Sequence, residues 1–273
     1  MTGLLLALLL APALPGGVVR VLQSNSAGDN IHIIDPATNE IVGEIKDIEV
    51  PHGVAIAPDG SRIYVTNEAM KTLDVVDARS LKILNRIPLS GRPNNVAVSN
   101  SGAHVYVGIR EGAGAVDVIE AASARNVKSV PVKGEIHNVY VTPDGKHVVA
   151  GSIAASTISV IDEPTKTLAW TLTLSAGIRP MAFTRNPDGS TKAIIVQLSD
   201  FHGFAVVDFA ARKEIKRVTI PDPPGEHRET EGLQGSPSHG LAITPDGRML
   251  WATSKYYDSV AAFSLPDFIL QYE

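Results

Sequence analysis

Cysteine is absent from all 273 residues of the sequence. This absence excludes disulfide bonds, thiolate metal sites, iron–sulfur clusters, cysteine nucleophiles and covalently attached c-type haem. Charge of one sign is not in large excess, because 24 Lys and Arg residues stand against 29 Asp and Glu residues. A slightly acidic chain without a basic cluster lacks the electrostatic footprint of a nucleic-acid-binding protein. We therefore expect no nucleic acid among its partners.

Several catalytic and nucleotide-binding motifs are also missing from the sequence. It contains no G-x-S-x-G nucleophile elbow, no G-x-x-x-x-G-K-[ST] phosphate loop, no H-E-x-x-H and no G-x-G-x-x-G. The glycines of REGAGAVD, which begins at Arg110, do not open a helix and are no phosphate loop. The motifs therefore predict no nucleotide cofactor and leave the question of catalysis open.

Long hydrophobic runs are lacking except at the N-terminus. An apolar stretch from Leu4 to Leu10 is followed by the small-residue sequence Ala11-Pro12-Ala13. This resembles a secretory signal peptide, and it is shorter than the roughly 20 apolar residues that span a bilayer. We predict a signal peptide over residues 1–17, a periplasmic or secreted mature chain over 18–273, and no transmembrane segment. No Lys or Arg precedes the apolar stretch, so a buried N-terminal strand or helix is the alternative.

What the sequence does contain is a repeat of about 42 residues. Five copies share an apolar strand-like run, a polar turn of the PDG kind and a second apolar run. The spacings between the turn glycines are 42, 43, 44 and 58 residues, the last interval carrying an insertion. The turn glycines are Gly60, Gly102, Gly145, Gly189 and Gly247. A second set of turn residues, which are acidic and each follow an apolar run, has the same period: Asp35, Asp77, Glu120, Asp162 and Asp208.

Each repeat therefore holds four strands, and no stretch of the sequence shows sustained helical periodicity. Four antiparallel strands in 40–45 residues are typical of one β-propeller blade. The pattern predicts an all-β propeller with six blades visible over residues 18–50, 51–91, 92–134, 135–178, 179–236 and 237–273.

The segment Tyr64–Asn67 reads YVTN and follows APDG. On these residues the chain resembles the YVTN-family β-propeller repeat proteins, from about residue 18 to its end. The other copies read YVGI, VAGS and WATS and depart from the motif. The resemblance implies a surface or periplasmic propeller. Propellers related to that family include seven-bladed lactonases, and others resemble redox-enzyme subunits or haem d1 domains.

The first predicted blade lacks an innermost strand, and the sixth stops within its outermost strand. We expect an incomplete ring, namely a seven-bladed propeller truncated by between one strand and one blade. A six-bladed ring with a defective closing blade is the alternative.

One register position carries the candidate site. The residue eight positions before each turn glycine is His52, Asn94, His137, Met181 or His239. Side-chain direction in a strand has period two, so equal offsets predict five side chains facing the mouth of the central channel. Three imidazoles there could bind a divalent transition metal. A polar channel lining without metal is the alternative interpretation.

Other candidates lie in loops of the same face. Arg92, Arg110 and Arg179 could hold an anionic ligand or simply form a charged rim. Asp200 and His202 could form acid/base machinery or a hydrogen-bonded turn. The insertion at residues 221–237, which contains His227, could be a lid or a solvated loop.

Two functions remain open on these observations. The first is an exported, non-enzymatic binding or scaffolding propeller that uses its top face and central channel for a small molecule or a protein. The alternative is a metal-assisted hydrolase or lactonase-like enzyme with a histidine site at the channel mouth.

Overall fold

The computed structural model of the chain describes residues 19–222, 235 and 237–272. Within these residues all regular elements are β-strands, and 23 strands form six antiparallel sheets. Five sheets have four strands and the first has three. The prediction of an all-β propeller with six blades is confirmed.

Strands follow one another through each sheet in chain order. The first sheet contains β1 (Val21–Asn25), β2 (Asn30–Asp35) and β3 (Glu40–Ile45). The second contains β4 (Pro51–Ile56), β5 (Arg62–Asn67), β6 (Thr72–Asp77) and β7 (Ile83–Pro88). The third contains β8 (Pro93–Val98), β9 (His104–Ile109), β10 (Ala115–Glu120) and β11 (Arg125–Pro131).

The remaining three sheets repeat this plan. The fourth contains β12 (Ile136–Val141), β13 (His147–Ser152), β14 (Thr157–Asp162) and β15 (Thr167–Thr173). The fifth contains β16 (Ile178–Arg185), β17 (Thr191–Leu198), β18 (Gly203–Asp208) and β19 (Lys213–Thr219). The sixth contains β20 (Leu241–Ile243), β21 (Met249–Ser254), β22 (Ser259–Ser264) and β23 (Leu270–Tyr272). Strand β16 begins at Ile178, one residue inside the range predicted for the fourth blade.

The turns form for the reasons that the sequence pattern indicates. Each of the five PDG-type glycines has a positive φ, between 70° and 84°, which residues with a side chain adopt at a cost. The second set of turns uses an acidic side chain as a local acceptor. The backbone N–H of Ser80 donates to Oδ1 of Asp77 at 2.8 Å, and that of Thr165 donates to Oδ1 of Asp162 at 2.9 Å.

The hydrophobic core lies between the sheets. Five clusters of buried residues each join two consecutive sheets, with Ile31 and Val65 in the first and Phe204 and Phe263 in the last. The first strands of the second to sixth sheets contact one another in order, and β1 contacts β4. The outermost strands expose most of their residues. These contacts bring the beginnings of β4, β8, β12, β16 and β20 to one face, which we call the top face.

Candidate functional site

The top face carries one equivalent residue from each of five blades. In the second to fifth blades the first residue of the innermost strand pairs with the last residue of the following strand, as Pro51 does with Asn67 and Ile136 with Ser152. The pairs Pro93–Ile109 and Ile178–Leu198 follow the same rule. The residue one position further along defines the ring at the channel mouth. This position holds His52, Asn94, His137 and Arg179. His239, two residues before β20, takes the corresponding place in the sixth blade, because the backbone N–H of Lys255 bonds Pro237 as that of Arg110 bonds Arg92.

The prediction placed Met181 in this ring, and the structure corrects it to Arg179. Strand β16 has eight residues where β4, β8 and β12 have six, and its ladder with β17 contains an extra irregularity at Thr184 and Arg185. Counting back from Gly189 therefore lands two residues too late. Met181 is only 3% exposed and packs in the hydrophobic cluster between the fourth and fifth blades.

The three histidines of the ring meet although they come from alternate blades. The ring centroids of His52 and His137 are 5.9 Å apart, and those of His137 and His239 are 6.2 Å apart, both edge to face. Asn94 lies in the same ring but is almost fully buried. Equal register thus brings together side chains that are about 85 to 190 residues apart in the sequence.

Two of the imidazoles have defined hydrogen-bond partners. Nδ1 of His52 lies 3.0 Å from Oε1 of Glu68, and the side-chain amide of Asn138 lies 3.2 Å from Nδ1 of His137. Nδ2 of Asn94 also approaches Oε1 of Glu68, at 3.4 Å. Glu68 therefore orients His52 and neutralises part of the positive charge in its surroundings.

All three imidazoles bind protons less readily than a free histidine. Burial lowers the pKa of His137 to about 4, assisted by the neighbouring His52, Arg110, His239 and Arg179. Burial is also the largest cause that lowers the pKa of His52 and of His239. For His52 the carboxylate of Glu68 acts in the opposite direction and raises the pKa. The cluster is therefore neutral at its imidazoles near pH 7 and positive at its arginines.

A second ring of side chains follows the second strand of each blade. Glu68, Arg110, Ile153 and Lys255 stand eight positions after their turn glycines, and Ser199 takes this place in the longer fifth blade. We did not predict Glu68 or Lys255 as site residues. The signal was available, because a fixed offset from the turn glycine places these residues beside the histidine ring.

Arg110 and Arg179 supply the positive charge of the site. A cavity of about 150 Å³ is lined by Arg110, Glu135, His137, Ile153 and Ala154. Nε of Arg179 donates to Oγ of Ser199 at 2.9 Å, and its Nη2 donates to the carbonyl of Gly235 at 3.2 Å. Burial lowers the pKa of Arg179, and the nearby carboxylate of Asp200 partly offsets this effect.

The remaining predicted site residues take different positions. His202 is buried, its Nε2 lies 2.8 Å from Oγ of Ser254, and its ring contacts the ring of Tyr256 in a tilted arrangement with centroids 4.8 Å apart. Asp200 is exposed beside Arg179. Arg92 is exposed, and its backbone N–H donates to Oε2 of Glu111. Most of the insertion at 221–237, including His227, lies outside the described residues.

The three histidines do not form a preformed metal site among the described residues. Among the residues that the structure describes, no group of three or more His, Asp or Glu side chains is arranged to hold a metal ion. One ring nitrogen of His52 faces Glu68, and one of His137 faces Asn138. The positions of His52, His137 and His239 therefore support a polar cluster rather than a preformed set of metal ligands.

No helix in the described part of the chain is long and apolar enough to cross a membrane. Neither a family model nor a curated protein matches the sequence, so membership of the YVTN family stays a prediction.

Solved structures show similarity in fold. The chain resembles hydrazine synthase from Kuenenia stuttgartiensis with a TM-score of 0.74 and 22% identity, over 96% of this chain and 80% of that one. It also resembles the dihydro-haem d1 dehydrogenase NirN in complex with DHE, with a TM-score of 0.69 and 15% identity. That match covers 93% of this chain and 53% of the other, so the chain spans about half of that protein. Both likenesses support the propeller fold alone.

Proposed function

We propose that this chain is an exported, non-enzymatic binding propeller that takes a small molecule at the top face, where the central channel opens. The observation that carries the proposal is the meeting of His52, His137 and His239 from alternate blades. A rigid scaffold that brings polar groups from several blades to one cavity is a typical design for a ligand site. The export rests on residues 1–17, which lie outside the described residues.

The proposal predicts ligand binding that depends on His137. The purified protein is screened by thermal shift against a panel of organic acids, sugar phosphates, sugars and amino acids. We expect at least one compound to raise the Tm, because a ligand that binds only the folded state stabilises it by mass action. The shift should disappear in His137→Ala. It should persist in the control His32→Asn, which changes a half-buried histidine of β2 outside the ring. If every compound that raises the Tm of the parent chain also raises the Tm of His137→Ala, the proposal is contradicted.

The metal-assisted hydrolase or lactonase-like enzyme remains the alternative. The Glu68–His52 pair is the feature that favours it, since a carboxylate that orients an imidazole can support acid/base chemistry. A divalent transition metal at one equivalent in the purified protein, with a lower Tm after chelation, would favour this alternative over the binding protein.

A further inference from the structure

Among the residues that the structure describes, the guanidinium of Arg110 at the channel mouth has no partner. Arg110 follows β9, and its backbone N–H donates to the carbonyl of Arg92 at 2.8 Å. Its side chain is half-buried, yet it makes no hydrogen bond or ion pair with any residue that the structure describes. A partly desolvated charge without a partner is costly, so arginines in such positions usually have a carboxylate beside them.

The groups around Arg110 increase its need for negative charge. Burial is the main cause that lowers the pKa of Arg179, and repulsion from Arg110 lowers this pKa further. Burial is also the main cause that lowers the pKa of His239, and repulsion from Arg179 and Lys255 lowers it further. Arg110, Arg179 and Lys255 come from three different blades. The site therefore collects positively charged side chains from separate parts of the ring.

The nearby carboxylates are engaged elsewhere or exposed to water. Glu68 is held by His52 and Asn94. Asp200 accompanies Arg179, which itself bonds Ser199 and Gly235. Glu135 lines the cavity but is exposed to solvent. None of these groups makes an ion pair with Arg110 among the described residues.

We propose that the cavity beside His137 binds a small molecule through an oxyanion group, a carboxylate, sulfate or phosphate, and that Arg110 is the residue that holds it. The inference rests on the proposed function and names the chemical class of its ligand. The planar guanidinium offers paired N–H donors that match the two oxygens of such a group. A cavity of about 150 Å³ has room for a small organic acid.

The test compares malonate with malonamide, its neutral counterpart, and adds sulfate as an inorganic probe. Each compound is titrated against the Tm of the full-length protein, with sodium chloride keeping the ionic strength constant, which yields an apparent Kd. We expect malonate and sulfate to stabilise the protein and malonamide to have no effect. The variant Arg110→Gln should weaken malonate binding about tenfold or more, because a charge-assisted pair of hydrogen bonds is lost.

Two controls separate binding from folding. Arg125→Gln removes an exposed arginine from β11 of the same blade and should leave the apparent Kd unchanged. Without ligand, Arg110→Gln should be at least as stable as the parent chain, because it relieves repulsion and breaks no bond. Arg110→Lys keeps the positive charge but loses the paired N–H donors of the guanidinium. Its affinity for malonate should therefore lie between those of the parent chain and of Arg110→Gln.

Equal stabilisation by malonate and malonamide, or equal malonate affinity in Arg110→Gln and the parent chain, would overturn the inference. If neutral sugars or amino acids bind in a way that depends on His137 while oxyanions do not, the binding function stands and only the ligand class is wrong. If no compound depends on His137, both fail.

Discussion

At the scale of single residues, His137 shows how the fold changes the chemistry of a side chain. Its imidazole is surrounded by two other imidazoles and lies near Arg110 and Arg179. Burial and these positive neighbours disfavour the protonated form, so its pKa falls from 6.5 to about 4. In the unfolded chain the same residue titrates near its ordinary value, and the difference links stability to pH.

We predict a loss of stability on acidification that His137 causes. Well above pH 6.5 this residue is neutral in both the folded and the unfolded state, and its contribution is complete. As the pH falls from 6.5 towards 4, the unfolded state takes up the proton first, so folding becomes less favourable by on the order of 1–3 kcal/mol. Urea unfolding at a series of pH values should show this decline in the parent chain and a smaller one in His137→Asn. If the free energy of unfolding declined equally with pH in the two proteins, the assignment of this decline to His137 would be wrong.

At the scale of elements, the joint between neighbouring innermost strands decides where the site residues stand. The backbone N–H of Gly53 donates to Oγ1 of Thr66 at 2.7 Å, and this hydroxyl donates to the carbonyl of Asn94 at 2.6 Å. A Cβ on Gly53 would lie 2.8 Å from the backbone nitrogen of Val96. Strands β4 and β8 can therefore approach closely only because residue 53 has no side chain.

The substitution Gly53→Ala should push these two blades apart. The clash is with backbone atoms, which cannot rotate away, so we expect a loss of about 1–3 kcal/mol in the free energy of unfolding. Because His52 and Asn94 adjoin the joint, any His137-dependent ligand binding should weaken as well. Urea denaturation measures the first effect and thermal-shift titration the second.

The matched control is Gly28→Ala, where a Cβ would meet its nearest neighbour at an ordinary 3.5 Å. This change in an exposed turn should alter stability by no more than about 0.5 kcal/mol. If the two variants were equally stable, the close approach of β4 and β8 would not be a structural requirement.

At the scale of the whole molecule, the described strands begin after the segment predicted to be removed on export. Strand β1 begins at Val21, so cleavage anywhere between Ala13 and Gly17 would remove no residue of the 23 described strands. Among the described residues, the five inter-blade clusters begin at Leu22. Cleavage of the predicted signal peptide would therefore keep every described strand in the mature chain.

We predict that the mature protein is recovered from the periplasmic or secreted fraction without its first 13 to 17 residues. Leu8→Arg places a charge in the apolar stretch and should keep the full-length chain in the cytoplasm. Thr2→Lys adds a charge before that stretch, as signal peptides usually have, and should preserve export. Intact-mass measurement of each fraction provides the check, and a chain that retains Met1 in every fraction would refute the prediction.

Much of the architecture follows from local sequence signals. The turn glycines need a positive φ, the acidic residues of the second turns accept local hydrogen bonds, and alternating apolar residues indicate half-buried strands. These signals act over a few residues, so the repeat reveals the number of strands in each blade. The same logic placed His52, His137 and His239 at one register, which is why their meeting could be expected.

The tertiary structure decided which other side chains join that ring. Strand β16 has two additional residues between its first residue and the turn at Gly189, so Arg179 rather than Met181 occupies the ring position. This lengthening changes the register of the strand but leaves the repeat pattern in the sequence unaltered. The pairing of Glu68 with His52 joins the ends of two strands of one blade, whereas the surroundings of Arg110, which has no partner among the described residues, are set by neighbouring blades. Local periodicity carries no information about distances across blades, whereas packing of complete sheets sets them, and the charge of the site is determined there.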